Sequence, residues 1–414
     1  MFDKKNDQLF TPLLPEKRKI GYTDSAHWIR FKLHNNCWNK EWCLHTTRMT
    51  FQELTIYSRD GQEQLSITSI DYLMPSSQRP VPCRLLALPL QISSSGTTEF
   101  LMRIRSKPFL NINYIIQQRD NFEKQIAIEN LIFTACFAII VTMLLYNLVF
   151  WFFLGDLSHL LYVFFFTFNA LFLAHLNGLL AQFVWFKYSN QFDPVLSPII
   201  GGLAMIFGLA FTQKFFVTIE RFIHLGVLLR ALLWLVIMFI FVVILQPLYR
   251  YISLAGNILA ITIIALVFVV AINSLLDGYR PAVYFIAAHF SVLIGTTFFS
   301  LSAMGIVPEN YFTKNANLMG IVIESVLMSL ALASRVETYR SEHAVAIEEK
   351  YSKEKELATI KESFVEHLEE QVAEKTKELS ESESRYRALI ELSPDILLEY
   401  QNRLDDIRAI YRHH

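Results

Sequence analysis

A handful of side chains near the N-terminus, and one deep in an apolar run, carry most of the chemistry this sequence offers. Trp28, Arg30, Trp38 and Trp42 put flat aromatic rings beside a guanidinium, a set that can stack on a sugar ring. The same residues would serve equally well as packing for a β-sandwich or its rim. Glu324 lies midway along the apolar stretch 315–335, where a charge costs about 3 kcal/mol or more. It must be protonated, paired or turned inward. That makes it either a switch or ligand contact, or a packing hydrogen-bond partner for Asn257, Asn273 or a nearby hydroxyl. His175, Asn177 and His289 read as interhelical hydrogen-bonding groups rather than ligands. Cys37 and Cys43 are close enough to pair in an oxidising compartment, leaving Cys83 odd, and no CxxC pair suggests zinc. HExxH and GxSxG do not occur, so membrane proteolysis by those chemistries has no support. The last apolar stretch has no internal lysine for a retinal Schiff base, since Lys314 stands at its mouth. His343 and His367 lack the surroundings of a kinase phosphoacceptor and read as surface histidines. Neither a Gly-rich ATP lid nor a Gly-Gly-Asp-Glu-Phe cyclase signature is found, so no catalytic residue, metal or cofactor is expected.

The elements that must position these residues follow from composition. The 414 residues are 53% hydrophobic and only 18% charged, against about 25% charged in a soluble domain. The deficit is local: the 211 residues from Gln125 to Arg335 hold 15 charged side chains. A soluble core of that size needs far more polar surface, so this block lies in lipid. Seven segments are long enough to span it, at roughly 128–154, 158–186, 195–217, 224–246, 251–276, 282–305 and 315–335. Lys214, Arg221, Arg230, Arg280 and Arg335 gather on one side, with further basic residues just past it; Lys187, Arg250 and Lys314 gather on the other. The positive-inside rule therefore expects the N-terminal domain outside and the C-terminal tail in the cytoplasm. A net charge of −1 excludes a strongly basic nucleic-acid binder.

Residues 1–124 read as β. Ile29, Phe31 and Leu33 alternate onto one face of 27–33, further runs lie near 41–48, 52–58, 84–90, 99–105 and 111–118, and Asp60-Gly61 is a hairpin signal. Six or seven such strands suggest a β-sandwich. Beyond Arg335 the chain turns charged and helical, with 13 acidic and 8 basic residues in 341–390. Leu357, Ile360, Phe364, Leu368, Val372 and Leu379 form a stripe near 3.67 residues per turn, closer to an 11-residue repeat than to a heptad. That pattern expects either two paired copies of the helix or a single solvated one.

Leu9-Phe10-Thr11-Pro12 followed by Gly21-Tyr22-Thr23-Asp24-Ser25-Ala26-His27-Trp28-Ile29-Arg30-Phe31 resembles the second type of extracellular domain in the bacterial seven-transmembrane receptors with diverse intracellular signalling modules. The helices behind it are similar to that family's membrane region, as are Tyr311-Phe312-Thr313 and Glu324 through Ala333. The resemblance implies a jelly-roll-like outer domain with sugars or related small molecules as ligands, and it carries over no individual binding residue. Leu368 through Leu379 resembles the signalling linker of sensor kinases, and Glu383 through Ile396 is similar to the start of a PAS domain. Members usually begin with a signal peptide. Met1-Phe2-Asp3-Lys4-Lys5 carries no apolar h-region, so either a longer start or export by the first helix is expected.

The expectation is a multi-domain membrane protein of the bacterial plasma membrane. It has a sensor sandwich over 1–124, a seven-helix bundle over 125–335, a coiled-coil linker over 336–384 and an incomplete PAS-like start over 385–414. It would act as a receptor rather than an enzyme. An extracytoplasmic small molecule would be held by Trp28, Arg30 and Trp42, with Glu324 as the intramembrane switch. Its partners would be the lipid bilayer, a second copy and a cytoplasmic signalling protein, with no output domain in this chain. The alternatives are a secondary transporter, or a truncated remnant of a sensor histidine kinase or diguanylate cyclase.

Overall fold

The computed structural model describes residues 8–14, 19–23, 25–36, 41–49, 52–59, 65–92, 96–106, 109–184, 193–216, 222–245, 249–303 and 306–410. Trp38, the Cys37–Cys43 pairing and the Asp60-Gly61 turn lie outside the described residues.

The N-terminal strands are β1 (Lys19–Tyr22), β2 (His27–Asn35), β3 (Glu41–Thr46), β4 (Gln52–Arg59), β5 (Leu65–Asp71), β6 (Ala87–Gln91), β7 (Gly96–Ser106), β8 (Phe109–Asn111) and β9 (Tyr114–Gln118). One sheet runs β2-β7-β4-β5 and another β6-β3-β9, with β1 and β8 paired separately. The period-2 alternation explains how the two larger sheets meet. Ile29, Phe31 and Leu33 of β2, Leu54 and Ile56 of β4, and Phe100, Met102 and Ile104 of β7 share one core with Trp42 and Leu44 of β3 and Leu88 and Leu90 of β6. The back of the smaller sheet forms a second core, in which Cys43, Cys83, Leu85 and Ala87 close on Phe122 and Ile126 of the first helix. This sheet is therefore covered on both faces, and the His45 ring lies 4.5 Å from Phe122.

Among the described residues, seven helices are long and apolar enough to cross a membrane: α1 (Arg119–Leu154), α2 (Leu157–Leu176), α3 (Asp193–Phe216), α4 (Ile223–Leu245), α5 (Tyr249–Leu276), α6 (Ala282–Ala303) and α7 (Tyr311–Ile410). Their outer faces carry large apolar side chains such as Phe152, Phe153 and Trp234, as suits helices surrounded by lipid. Helix ends follow local chemistry. Gly155, at φ 67°, closes α1, and Asp156 caps α2 by accepting from the Ser158 N–H at 3.0 Å. Asn310 and Thr313 cap α7 reciprocally: the Thr313 N–H donates to Asn310 Oδ1 at 2.8 Å, and Thr313 Oγ1 accepts from the Asn310 N–H at 3.0 Å.

The chain divides into two compact units, Met1–Arg335 and Val336–His414. In the second unit, helix runs through 410 and includes the PAS-like stretch from 385. Phe364, Val365, Leu368 and Val372 are exposed side by side there.

Candidate functional site

Two of the aromatic and cationic residues singled out in the sequence share a surface, and the third does not. Ile29, Phe31 and Leu33 point inward, so Trp28, Arg30 and Lys32 lie on the outer face of the four-stranded sheet. Register fixes their neighbours. Trp28 stands opposite Arg103 of β7, which stands opposite Thr55 of β4; Arg30 stands opposite Leu101, and Leu101 opposite Tyr57. The rings of Trp28 and Tyr57 approach to 5.9 Å across the intervening strand β7. Leu101, beside them, is 2% exposed although it faces away from the core. Arg30 lies over the Phe10 ring at 4.7 Å and reaches Glu99 at 4.0 Å, and Lys32 and Arg59 each approach Glu99 at 3.6 Å. Trp42 belongs to the other sheet and packs on the sandwich core, so it cannot serve the same surface. Tyr57, which does, escaped the sequence reading. Its alternation along β4 marked it as outward, but only pairing through β7 brings it to Trp28.

A second cluster joins the sandwich to the helices. The loop 72–83 is held by the buried Arg79, whose guanidinium donates to the carbonyls of Tyr72 at 3.1 Å, Met74 at 3.2 Å and Cys83 at 3.3 Å. That places Arg84, itself buried, against Glu129 of α1 in an ion pair. Lys314 of α7 meets the same carboxylate at 2.8 Å, Gln125 donates to it at 3.1 Å, and Arg84 lies over the Phe133 ring at 4.9 Å. Arg84 also donates to the Asn177 carbonyl at 3.5 Å, at the end of α2. Gly178 is required beside it: its φ is 76°, and a Cβ there would stand 2.5 Å from the Arg84 carbonyl oxygen. Nearby, Arg48 and Asn113 of the sandwich hold Glu309 at 3.5 and 3.4 Å, on the approach to α7. Burial pulls the Arg84 guanidinium down to about 10, with Cys83 acting the other way, so it remains a cation at neutral pH. Burial lowers His45 too, which keeps it neutral there.

Glu324 is buried on α7, and the residue that meets it is His289 of α6, at 3.8 Å from Nδ1. The suggested partners lie elsewhere: Asn257 is exposed and Asn273 donates to the Val269 carbonyl of its own helix. One face of α7 carries further polar ties. Tyr162 of α2 donates to the Ser325 carbonyl at 2.7 Å, and Asn147 of α1 donates to Ser329 Oγ at 2.9 Å while its Oδ1 lies 3.0 Å from His159 Nδ1. Arg335 bonds Ser158 and lies 3.6 Å from Asp156. Burial works to raise the Asp156 carboxyl, but the Ser158 N–H and Arg335 outweigh it and hold it below its ordinary value.

The sequence reading used Lys314 and Arg335 as markers of topology and took Glu129 only as one of the 15 charged side chains of the block, assigning none of them a partner. Their scarcity was the missed signal. A charge in a lipid-facing block is costly enough that each should have been assigned a partner.

The family model described as 7TM diverse intracellular signalling matches residues 129–335, and the model for the second extracellular domain of the same receptors matches residues 3–117. No curated protein matches the chain.

Proposed function

We infer the function of this chain from its family: it belongs to the membrane receptors with seven transmembrane helices and diverse intracellular signalling. The proposal is that it senses a small molecule, in keeping with a sugar, on the outer face of its N-terminal sandwich, and relays the event through α7 to 336–410. In this reading the chain lies in a bacterial plasma membrane, with the sandwich outside and 336–410 in the cytoplasm. Two copies pair along the stripe through Phe364 and Leu368. The chain is a receiver and transmission element rather than a catalyst, and a cytoplasmic protein or domain reads its output.

The observation that carries this reading is the buried carboxylate of Glu129, gripped at once by Arg84 of the sandwich and Lys314 of α7. A ligand can shift an equilibrium only by its differential affinity for two states. A buried charge network shared by three elements has few intermediate arrangements, because parting any pair leaves a charge unsolvated. Movement of the sandwich would therefore be felt by α7.

Oxidative crosslinking of Leu368→Cys in membranes tests this without a ligand. Covalent dimers are expected that the parent chain does not form, and adding Lys314→Met should change their rate of formation. Absence of dimers would reject the paired helix. Dimers whose rate ignores Lys314→Met would reject the coupling, and solute accumulation in proteoliposomes would then favour a transporter.

A further inference from the structure

We propose that the outer face of the β2-β7-β4-β5 sheet binds an acidic saccharide, with Arg103 recognising its carboxylate and the Trp28–Tyr57 ring pair supporting the apolar face of its ring. The proposal rests on the receptor reading above and names the ligand class of that site.

The residue grid of this face follows from register. One row across it is Trp28, Arg103, Thr55 and Ser69; the next is Arg30, Leu101, Tyr57 and Ile67; the rows beside them add Lys32, Glu99 and Arg59, and Arg105, Glu53 and Asp71. Cations outnumber carboxylates on it, five to three. The carboxylates are also less available. Glu99 is shared among Arg30, Lys32 and Arg59, and Asp71 accepts from the Leu73 N–H at 3.0 Å. Arg103 is different: among the described residues it has no ion pair and no hydrogen-bond partner, yet it is half-buried between Trp28 and Thr55. A guanidinium held in that position is a ready fork for a carboxylate, which it engages with two parallel N–H bonds.

The aromatic pair supplies the second requirement. Trp28 and Tyr57 close across β7 at 5.9 Å and are only half-buried, so part of each ring remains open to a ligand. Rings of this kind give a large contact area at little conformational cost, and the Tyr57 hydroxyl and the Trp28 indole N–H add polar contacts at the edge. A pair of aromatic rings inclined at 31° beside that guanidinium and the Thr55 hydroxyl matches a pyranose ring bearing a carboxylate, as in a uronate. A neutral sugar would leave Arg103 unused. A simple carboxylate would leave the rings uncovered.

The test uses the full chain in nanodiscs and titration calorimetry with short oligogalacturonates, alginate fragments and hyaluronan fragments. Neutral galacto-oligosaccharides of matching length and acetate are the controls. At least one uronate series should bind, more weakly as salt rises, with neutral sugars at least about tenfold weaker. Arg103→Gln should weaken that binding about tenfold or more while leaving the melting temperature unchanged, and Arg103→Lys should restore part of it. Trp28→Ala should weaken acidic and neutral sugars alike. If neutral sugars bind as well as uronates, or if Arg103→Gln has no effect, the acidic-ligand inference is overturned while the sugar receptor stands. If no saccharide binds, the inference is overturned outright, and the receptor reading is judged by the crosslinking at position 368, which needs no ligand.

Discussion

Single side chains in this protein matter through what they leave behind when removed. Glu129 is 1% exposed and carries the opposing charge for two cations. Deleting it strands Arg84 in a dry site, a situation that costs about 3–5 kcal/mol. Glu129→Ala and Arg84→Ala should each lower the melting temperature of the purified protein markedly. Replacing all three charges by apolar groups of similar volume, Arg84→Met, Glu129→Leu and Lys314→Met, should recover most of that loss, because no charge of the cluster then remains uncompensated. Additive losses in the triple variant would mean that the three residues do not act as a unit. The same burial silences the nearby thiols. Cys43 is 1% exposed, and burial pushes its thiol up to about 12, with Cys83 adding to the effect. Cys83 is itself buried and raised in the same direction. Maleimide at neutral pH should therefore spare both cysteines in the native protein and label both once it is denatured.

At the scale of elements, the contact between α6 and α7 sets the tightest tolerance. A Cβ at Gly320 would meet the Ser291 carbonyl oxygen at 2.9 Å and the Val292 Cα at 3.2 Å, and Ser291 Oγ donates to the Gly320 carbonyl at 3.1 Å. Gly295 faces the backbone of Ala316 with similar closeness. Backbones that near rely on dispersion and on the absence of side chains, as expected for helices packed in lipid. Gly320→Leu must push the helices apart and should cost about 1–3 kcal/mol, read as a lower melting temperature in detergent. Gly278→Ala is the contrast: nothing lies within 4 Å of a Cβ there, and only the φ of 85° opposes it. Equal losses from both substitutions would show that the interface is not close-packed. This contact also sets the neighbours of Glu324, since His289 lies about one turn before Val292 on α6 and Glu324 about one turn after Gly320 on α7.

The whole chain must cross the membrane in one sense. Seven crossings, the number of suitable helices among the described residues, would leave the two ends of the membrane block on opposite sides. The positive-inside bias predicts a cytoplasmic 336–410. A green fluorescent protein fused after Arg340 should therefore fluoresce, while an alkaline phosphatase fused at the same point should be inactive. An active phosphatase there would invert the topology and with it the outside placement of the proposed ligand face. The polar contacts on α7 bear on this scale too. Three helical turns separate Lys314 from Ser325, and Ser329 follows one turn later. The ties to α1, α2 and the sandwich thus follow one face of the helix through the first compact unit.

The sequence by itself determined the seven apolar helices, the sandwich strands and the helical character of the tail. Each of these is written locally, in the 18% charge content and its uneven spread, in a period of two or in the lack of Gly and Pro from 336 to 393. The strands expected near 52–58 and 99–105 fall within β4 and β7, and six of the seven spans coincide with their helices within a few residues, except where helix continues beyond the apolar run; the span expected over 158–186 instead breaks after Leu176, where Gly178 turns the chain at φ 76°. Partnership was another matter. Lys314 and Glu129 are 185 residues apart, and hydropathy marks both as exceptions without pairing them. Trp28 and Trp42 looked equivalent along the chain, but the sheet order β2-β7-β4-β5 puts Trp28 beside Tyr57, while β3 turns Trp42 into the core. Which face a residue occupies depends on its own strand's alternation, so sequence can propose it. Which residues share that face depends on strand order and helix packing, and those are settled only when distant segments bury their apolar surfaces together.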